Sequence, residues 1–189
     1  MSARTTNGRG ANALKEELVL SLSESCRAPG EGVYDLLADL QSHLEWSGSR
    51  NPRNFRLLSM EAPTGPATVG TEFVTTGADP AGRFENRSVV TEATRPTVFE
   101  FVTEAVLVMK RGGRRPEWTL VHRYEIAPDP QGCRVAYRGR VTRISELPGM
   151  MAVFRVPVLK GIGLKISALY ARKGFRNLLR MAEDRAGLR

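Results

Sequence analysis

Two periods of hydrophobic residues divide the chain. Between residues 55 and 145 apolar positions alternate with polar ones, as in strands, whereas from residue 158 to 185 they recur at about 100° per residue. In that second stretch Leu164, Ala168, Ala171, Phe175, Leu178, Leu179 and Ala182 share one face of a long helix, with Arg172, Arg176 and Arg180 on a flank. A closing helix with one face to bury, after a run of strands, predicts one sheet wrapped on one helix, with the sheet as partner of that face.

Residues 17–26 set Leu18, Leu20 and Leu22 against Val19, Ser21 and Ser23, which predicts a first strand with a leucine face. Ala28-Pro-Gly-Glu-Gly breaks it. Val33, Leu36, Leu37 and Leu40 then follow at helical spacing, and residues 41–46 continue as a second short helical piece that Ser47-Gly-Ser-Arg-Asn-Pro ends. Six further strands are predicted at 55–61, 69–76, 83–92, 98–110, 117–126 and 133–145, the fifth strand of the chain being the longest and rich in Val and Phe. Their connections are hairpin-sized: Gly77-Ala-Asp-Pro-Ala-Gly, Arg95-Pro, Arg111-Gly-Gly-Arg-Arg-Pro and Ala127-Pro-Asp-Pro-Gln-Gly among them. Seven strands so joined form an antiparallel sheet. Leu147-Pro-Gly ends it, and a short helical segment at 150–154 precedes the last helix.

With 189 residues, the chain is read as a disordered tail over 1–16 and a single domain over 17–189, large enough for a full core and an internal cavity. Its 41% apolar and 25% charged residues are ordinary for a soluble protein. Arg155 and Lys160 interrupt the longest apolar run, so no membrane insertion is expected; the polar first dozen residues lack the apolar middle of a signal peptide, which points to the cytoplasm. The net charge of +8 raises nucleic acid as a partner. The basic residues are scattered, however, and the one tight cluster, Arg111, Arg114 and Arg115, has no interleaved aromatic residue, which favours a solvated basic surface and no nucleic acid. Cys26, Cys133, His43 and His122 have no metal-ligand spacing, and neither a dinucleotide fingerprint nor a phosphate loop nor Gly-x-Ser-x-Gly is present. No metal and no cofactor are expected.

The order strand, two short helices, six strands, long helix resembles the START-like helix-grip superfamily, and within it the polyketide cyclase/dehydrase and lipid-transport (SRPBCC) group. The resemblance rests on the opening from Ala28-Pro to Trp46-Ser, on Val69-Gly-Thr-Glu-Phe in the third strand, and on Val90-Thr-Glu-Ala-Thr-Arg-Pro-Thr-Val-Phe-Glu-Phe between the fourth and fifth. Gly132-Cys-Arg-Val-Ala-Tyr-Arg in the seventh strand and the closing helix complete it, over residues 17–186. It implies an α+β fold in which a curved seven-stranded antiparallel sheet and the long C-terminal helix enclose a mostly apolar cavity. It also implies that the first and last strands are neighbours, which brings Cys26 close to Cys133. That spacing could suit a disulfide, while the cytoplasmic reading favours free thiols.

Strand parity then selects the cavity wall. If Trp118, Leu120, Tyr124 and Ile126 face inward, His122 does too; so do Phe99, Phe101 and Thr103, then Asn86, Ser88 and Val90, and Val135, Tyr137 and Val141. The residues expected to bind a ligand are Trp46, Phe73, Asn86, Phe99, Phe101, Thr103, Trp118, Ala168, Ala171 and Phe175, the small alanines leaving it room while Phe175, Leu178 and Leu179 plug the far end. His122 would be a general acid or base, with Tyr124 or Tyr137 polarising a carbonyl as an enolate develops; the alternative is a core histidine bonded to a tyrosine hydroxyl. Trp46 either closes the cavity mouth on a flat ligand or plugs the core. His43 is expected at the surface, and Glu72, Glu100 and Glu104 on the solvent face, Glu100 and Glu104 as partners for arginine.

Three functions fit such a domain. One is an enzyme catalysing cofactor-free cyclisation or dehydration of a polyketide-type or aromatic intermediate, in biosynthesis. Another is a non-catalytic carrier or sensor of a lipid or isoprenoid. The third is an interaction protein with a filled interior. A second apolar stripe on the last helix, Ile162, Ile166, Leu169 and Tyr170, adds a possible homodimer.

Overall fold

A computed structural model describes residues 18–47, 56–79, 82–145 and 157–188, with the backbone alone described over 157–170. The strands are β1 (Leu18–Cys26), β2 (Arg56–Glu61), β3 (Glu72–Ala78), β4 (Gly82–Thr94), β5 (Val98–Met109), β6 (Glu117–Asp129) and β7 (Gly132–Ile144). Helix α1 (Gly30–Ala38), a single 3-10 turn (Leu40–Ser42) and α2 (His43–Trp46) follow β1, and α3 (Pro157–Arg185) closes the chain. The seven strands form one antiparallel sheet in the order β1-β7-β6-β5-β4-β3-β2. Among the described residues no helix is long and apolar enough to cross a membrane.

The leucine face of the first strand is in place: Leu18 and Leu22 are buried and Ser21 and Ser23 exposed. Because the period of a strand is two, the register of β1 on β7 fixes every inward side chain of both, from Leu18 opposite Val141 to Cys26 opposite Cys133. Both cysteines are buried free thiols, and Cys26 Sγ lies 3.6 Å from the Leu179 carbonyl on α3. Helix α1 buries Val33, Leu36 and Leu37 completely, and its Tyr34 meets Phe99 edge to face at 5.9 Å.

Helix α3 buries Phe175, Leu178, Leu179 and Ala182. Its main contacts are with β1, α1 and α2, and Phe175 also meets Tyr137 of β7, so in the described stretch the sheet and the short helices share this face. On its flank Arg176 pairs with Glu24 of β1 at 3.0 Å, Arg172 reaches the same carboxylate at 3.7 Å, and Arg27 meets Glu183 at 3.4 Å. Exposed pairs of this kind contribute only about 0–1 kcal/mol each. Burial of each large side chain of the apolar face contributes about 1.5–3 kcal/mol, so the face seats the helix and the charges orient it.

Two boundaries depart from the pattern. Val69 stands outside the third strand, 64% exposed, because Gly70 turns the chain at φ +86° and Thr71 N–H donates to the Thr68 carbonyl; pairing starts only at Glu72. The strand expected to be longest, β5, has 12 residues against 13 in β4, β6 and β7. The 1–16 tail, the 150–154 segment and the side chains of Ile162, Ile166, Leu169 and Tyr170 lie outside the described residues.

Gly132 opens β7 at φ +143°, and a Cβ there would collide with the carbonyl oxygens of Cys26 and Arg27. Gly132→Ala is therefore expected to destabilise the fold by about 2 kcal/mol or more, from backbone strain and displacement of β1 together. Urea denaturation should show a lower midpoint at unchanged slope.

Candidate functional site

The concave face of the sheet encloses a cavity of about 380 Å³. Each strand contributes by parity: Phe101, Thr103 and Ala105 from β5; Trp118, Leu120, His122 and Tyr124 from β6; Tyr137, Gly139 and Val141 from β7; Phe84, Asn86 and Ser88 from β4; Phe73 and Thr75 from β3. Leu18 and Leu20 of β1 and Leu57 and Met60 of β2 close the sides. Ala171 and Phe175 of α3, His43 and Trp46 of α2, and Ser47 and Asp79 complete the described wall.

Within it His122 and Tyr137 form a pair, with Nδ1 3.0 Å from the tyrosine hydroxyl. Register alone does not bring them together, for His122 stands opposite Gly139 and Tyr137 opposite Tyr124. The missing side chain at Gly139 makes the contact possible: a Cβ there would lie 2.7 Å from the Tyr137 hydroxyl, so glycine leaves the phenol room to lean across to the imidazole. The His122 ring is held from the other side, stacked on Phe101 at 4.5 Å and 17°. Tyr124 lies 4.9 Å from the Tyr137 ring, and Phe175 of α3 lies 6.4 Å from it. Deeper in the wall the Ser88 and Thr103 hydroxyls bond to each other at 2.9 Å.

His43 overturns the surface expectation: it is 4% exposed. The spacing Leu40, His43, Trp46 placed it on the apolar face, and the polarity of the residue type argued against the position. Its ring sits 4.6 Å from Trp46, 6.2 Å from Phe101 and 6.4 Å from Phe73, and Nε2 donates to the Leu37 carbonyl at 2.9 Å. Burial among these rings lowers its pKa from 6.5 to about 4, against the Leu37 hydrogen bond that raises it, so the ring is neutral near pH 7 with the proton on Nε2.

Of the expected wall residues, Trp46, Phe73, Asn86, Phe101, Thr103, Trp118, Ala171 and Phe175 border the cavity, as do His122, Tyr124 and Tyr137. Trp46 is 3% exposed and its Nε1 donates to Ser42 Oγ at 3.3 Å, so it is packed into the core while one side meets the cavity. Phe99 does not border the cavity. It has the right parity but lies two residues beyond Phe101, where α1 covers the sheet and Tyr34 takes its ring edge. Ala168 lies outside the described side chains. On the outer face Arg123 gathers Glu92, Glu100 and Glu125, whereas Glu104 accepts from Thr119 instead of pairing with an arginine.

Comparison with solved structures bears on the fold. A protein from Rhizobium leguminosarum superposes with a TM-score of 0.63 at 14% identity, covering 89% of this chain and 96% of that one. Protein CV1439 from Chromobacterium violaceum gives 0.59 at 13% identity (87% and 96%), and Ara h 8.0201 gives 0.56 at 9% identity (89% and 99%). The fold is the helix grip. No family model matches the chain, and no curated protein matches it in sequence.

The low pKa of His43 sets a pH dependence. The folded value of about 4 lies below the unfolded 6.5, so the unfolded chain binds the extra proton between these values. The contribution is fully present above pH 6.5, falls as pH drops toward 4, and amounts to about 3 kcal/mol across the window. Comparing wild type with His43→Gln by denaturant unfolding from pH 7 to pH 4 should show the excess loss in wild type alone.

Proposed function

We propose that this protein binds an apolar, largely planar small molecule in the cavity under its sheet and catalyses cofactor-free ring closure and dehydration of a polyketide-type or aromatic intermediate there. The observation that carries this reading is a hydrogen-bonded imidazole and phenol, His122 and Tyr137, in the wall of a chamber otherwise lined mostly by apolar and aromatic groups. The helix-grip resemblance of the sequence supports it. A volume of about 380 Å³ also falls within the range of small-molecule pockets, about 300–1,000 Å³.

The chemistry follows from the pair. A hydroxyl bonded to Nδ1 can pass a proton to the imidazole while it removes one from a carbon acid, so that His122 stores the proton and Tyr137 carries it. The resulting enolate carbon attacks a second carbonyl; the carbon–carbon bond forms, and the carbonyl oxygen takes the electron pair. The stored proton returns through Tyr137 to that alkoxide, leaving a β-hydroxy ketone with no net proton change. Loss of a neighbouring proton and of the hydroxyl as water then gives the unsaturated ring. Tyr124, whose ring lies 4.9 Å from that of Tyr137, would donate a hydrogen bond to the developing oxyanion. The flat walls of Phe101, Phe73 and Trp118 hold the chain folded and keep bulk water from the reactive carbonyls.

Native mass spectrometry of protein from the producing cells should reveal a bound apolar molecule. With that molecule or its precursor, His122→Ala and Tyr137→Phe should lower turnover by about 10²–10⁴-fold and change binding only slightly. Unchanged turnover removes the acid-base role, and binding without any conversion makes the protein a carrier.

Ala171→Phe tests the cavity itself. It should block ligand while costing less than the roughly 1–3 kcal/mol of overpacking a solid core. A loss of stability on that scale, with no ligand found, would leave the interaction-protein reading.

A further inference from the structure

His43 has a second nitrogen to account for. Its side chain is buried and borders the cavity, Nε2 donates to Leu37 O, and Nδ1 has no hydrogen-bond partner among the described residues. A ring nitrogen that donates to a carbonyl carries the proton, so Nδ1 keeps an unshared lone pair and acts only as an acceptor. Buried polar atoms are nearly always paired, and one left unpaired costs free energy that a correct ligand recovers. The nearest donor in sequence does not serve it, because the Trp46 indole N–H is spent on Ser42 Oγ.

Charge narrows the chemistry further. The protein carries a net charge of +8, yet among the described wall residues there is neither Lys nor Arg, and the one formal charge is the Asp79 carboxylate. A carboxylate or phosphate ligand would find no counter-ion among the described wall residues, and its burial there carries a large desolvation cost. A neutral hydroxyl pays no such penalty and offers the donor that Nδ1 lacks.

Position ties this acceptor to the reactive pair. The Phe101 ring neighbours both imidazoles, 4.5 Å from His122 and 6.2 Å from His43. A ligand in the cavity beside Phe101 is therefore close to this acceptor and to the His122 and Tyr137 pair alike.

We infer that the cavity selects a neutral apolar ligand bearing a phenolic or enolic hydroxyl, and that His43 is the specificity-determining residue, accepting a hydrogen bond from that hydroxyl through Nδ1. The inference rests on the ligand-binding reading of the cavity given above and adds the class of ligand to it.

Three probes of one shape test it: 2-naphthol, 2-methoxynaphthalene and 2-naphthoate, titrated into the full-length protein by calorimetry at pH 7. Wild type should bind 2-naphthol about tenfold more tightly than 2-methoxynaphthalene, and 2-naphthoate most weakly. In His43→Phe the advantage of the hydroxyl should shrink to about twofold or less, with the ether retained. Equal binding of naphthol and ether by wild type, a naphthol preference that survives in His43→Phe, or tightest binding of the carboxylate would overturn the inference. Failure of all three probes to bind wild type would instead remove the ligand-binding reading beneath it.

Loss of the Leu37 hydrogen bond can unfold the variant, so a second measurement uses wild type alone. The nitrogen-15 resonance of His43 Nδ1 should move from the position of a bare imidazole nitrogen toward that of a hydrogen-bonded one on adding 2-naphthol, and stay in place with 2-methoxynaphthalene. No movement with bound naphthol would equally overturn the inference.

Discussion

The seat of α3 decides what the rest of the molecule is. A closing helix with large side chains all along its inner face would fill the concave side of the sheet, and the fold would be a solid two-layer core. In the described stretch Leu178, Leu179 and Ala182 are buried where α3 meets β1, α1 and α2, worth several kcal/mol by area, while the small Ala171 borders the cavity. The inner side chains of β3 to β6 are left to face one another, and the aromatic rings there pack partly edge to face, Phe73 on Phe101 at 5.4 Å and 65°. The cavity thus lies between the inner faces of the strands and the start of the described side chains of α3. Phe175 borders it there and meets the sheet at Tyr137.

Polarity is sorted with the same parity. Outward positions of β4, β5 and β6 carry Glu92, Glu100, Arg123 and Glu125, which pair among themselves where water can share the cost of their charge. Inward positions carry hydroxyls, an amide and imidazole, groups that can be buried if each finds a hydrogen bond. Ser88 and Thr103 satisfy each other, and Tyr137 meets His122. Among the described wall residues the polar groups are thus mostly neutral and directional, with Asp79 the one formal charge.

Most of the fold could be read from alternation, because Leu18, Leu20 and Leu22 or Phe101 and Thr103 announce their face by position alone. Parity gives the face but not the place along the strand where the cavity ends. Phe99 and Phe101 are indistinguishable in sequence, and only the docking of α1 and Tyr34 makes one of them core. Gly139 is the opposite case: a strand glycine carries no inward side chain to count, yet its missing Cβ sets the tilt of Tyr137 toward His122. His43 is the case where residue type and spacing disagree: a histidine favours the surface, whereas Leu40 and Trp46 three residues to either side are both buried.

The two histidines show how environment assigns different work to one residue type. His43 is wholly enclosed by rings and fixed through Nε2 to a backbone carbonyl, so its charged form is penalised and the ring persists as a neutral, oriented acceptor. His122 is only half-buried and its partner is a phenol, a group that can itself give up or receive a proton, so the pair can exchange protons where His43 and its carbonyl cannot. Phe101 neighbours both rings, 4.5 Å from His122 and 6.2 Å from His43. On the reading proposed above, recognition would fall to His43 and proton transfer to His122 with Tyr137, two groups joined by a single aromatic neighbour.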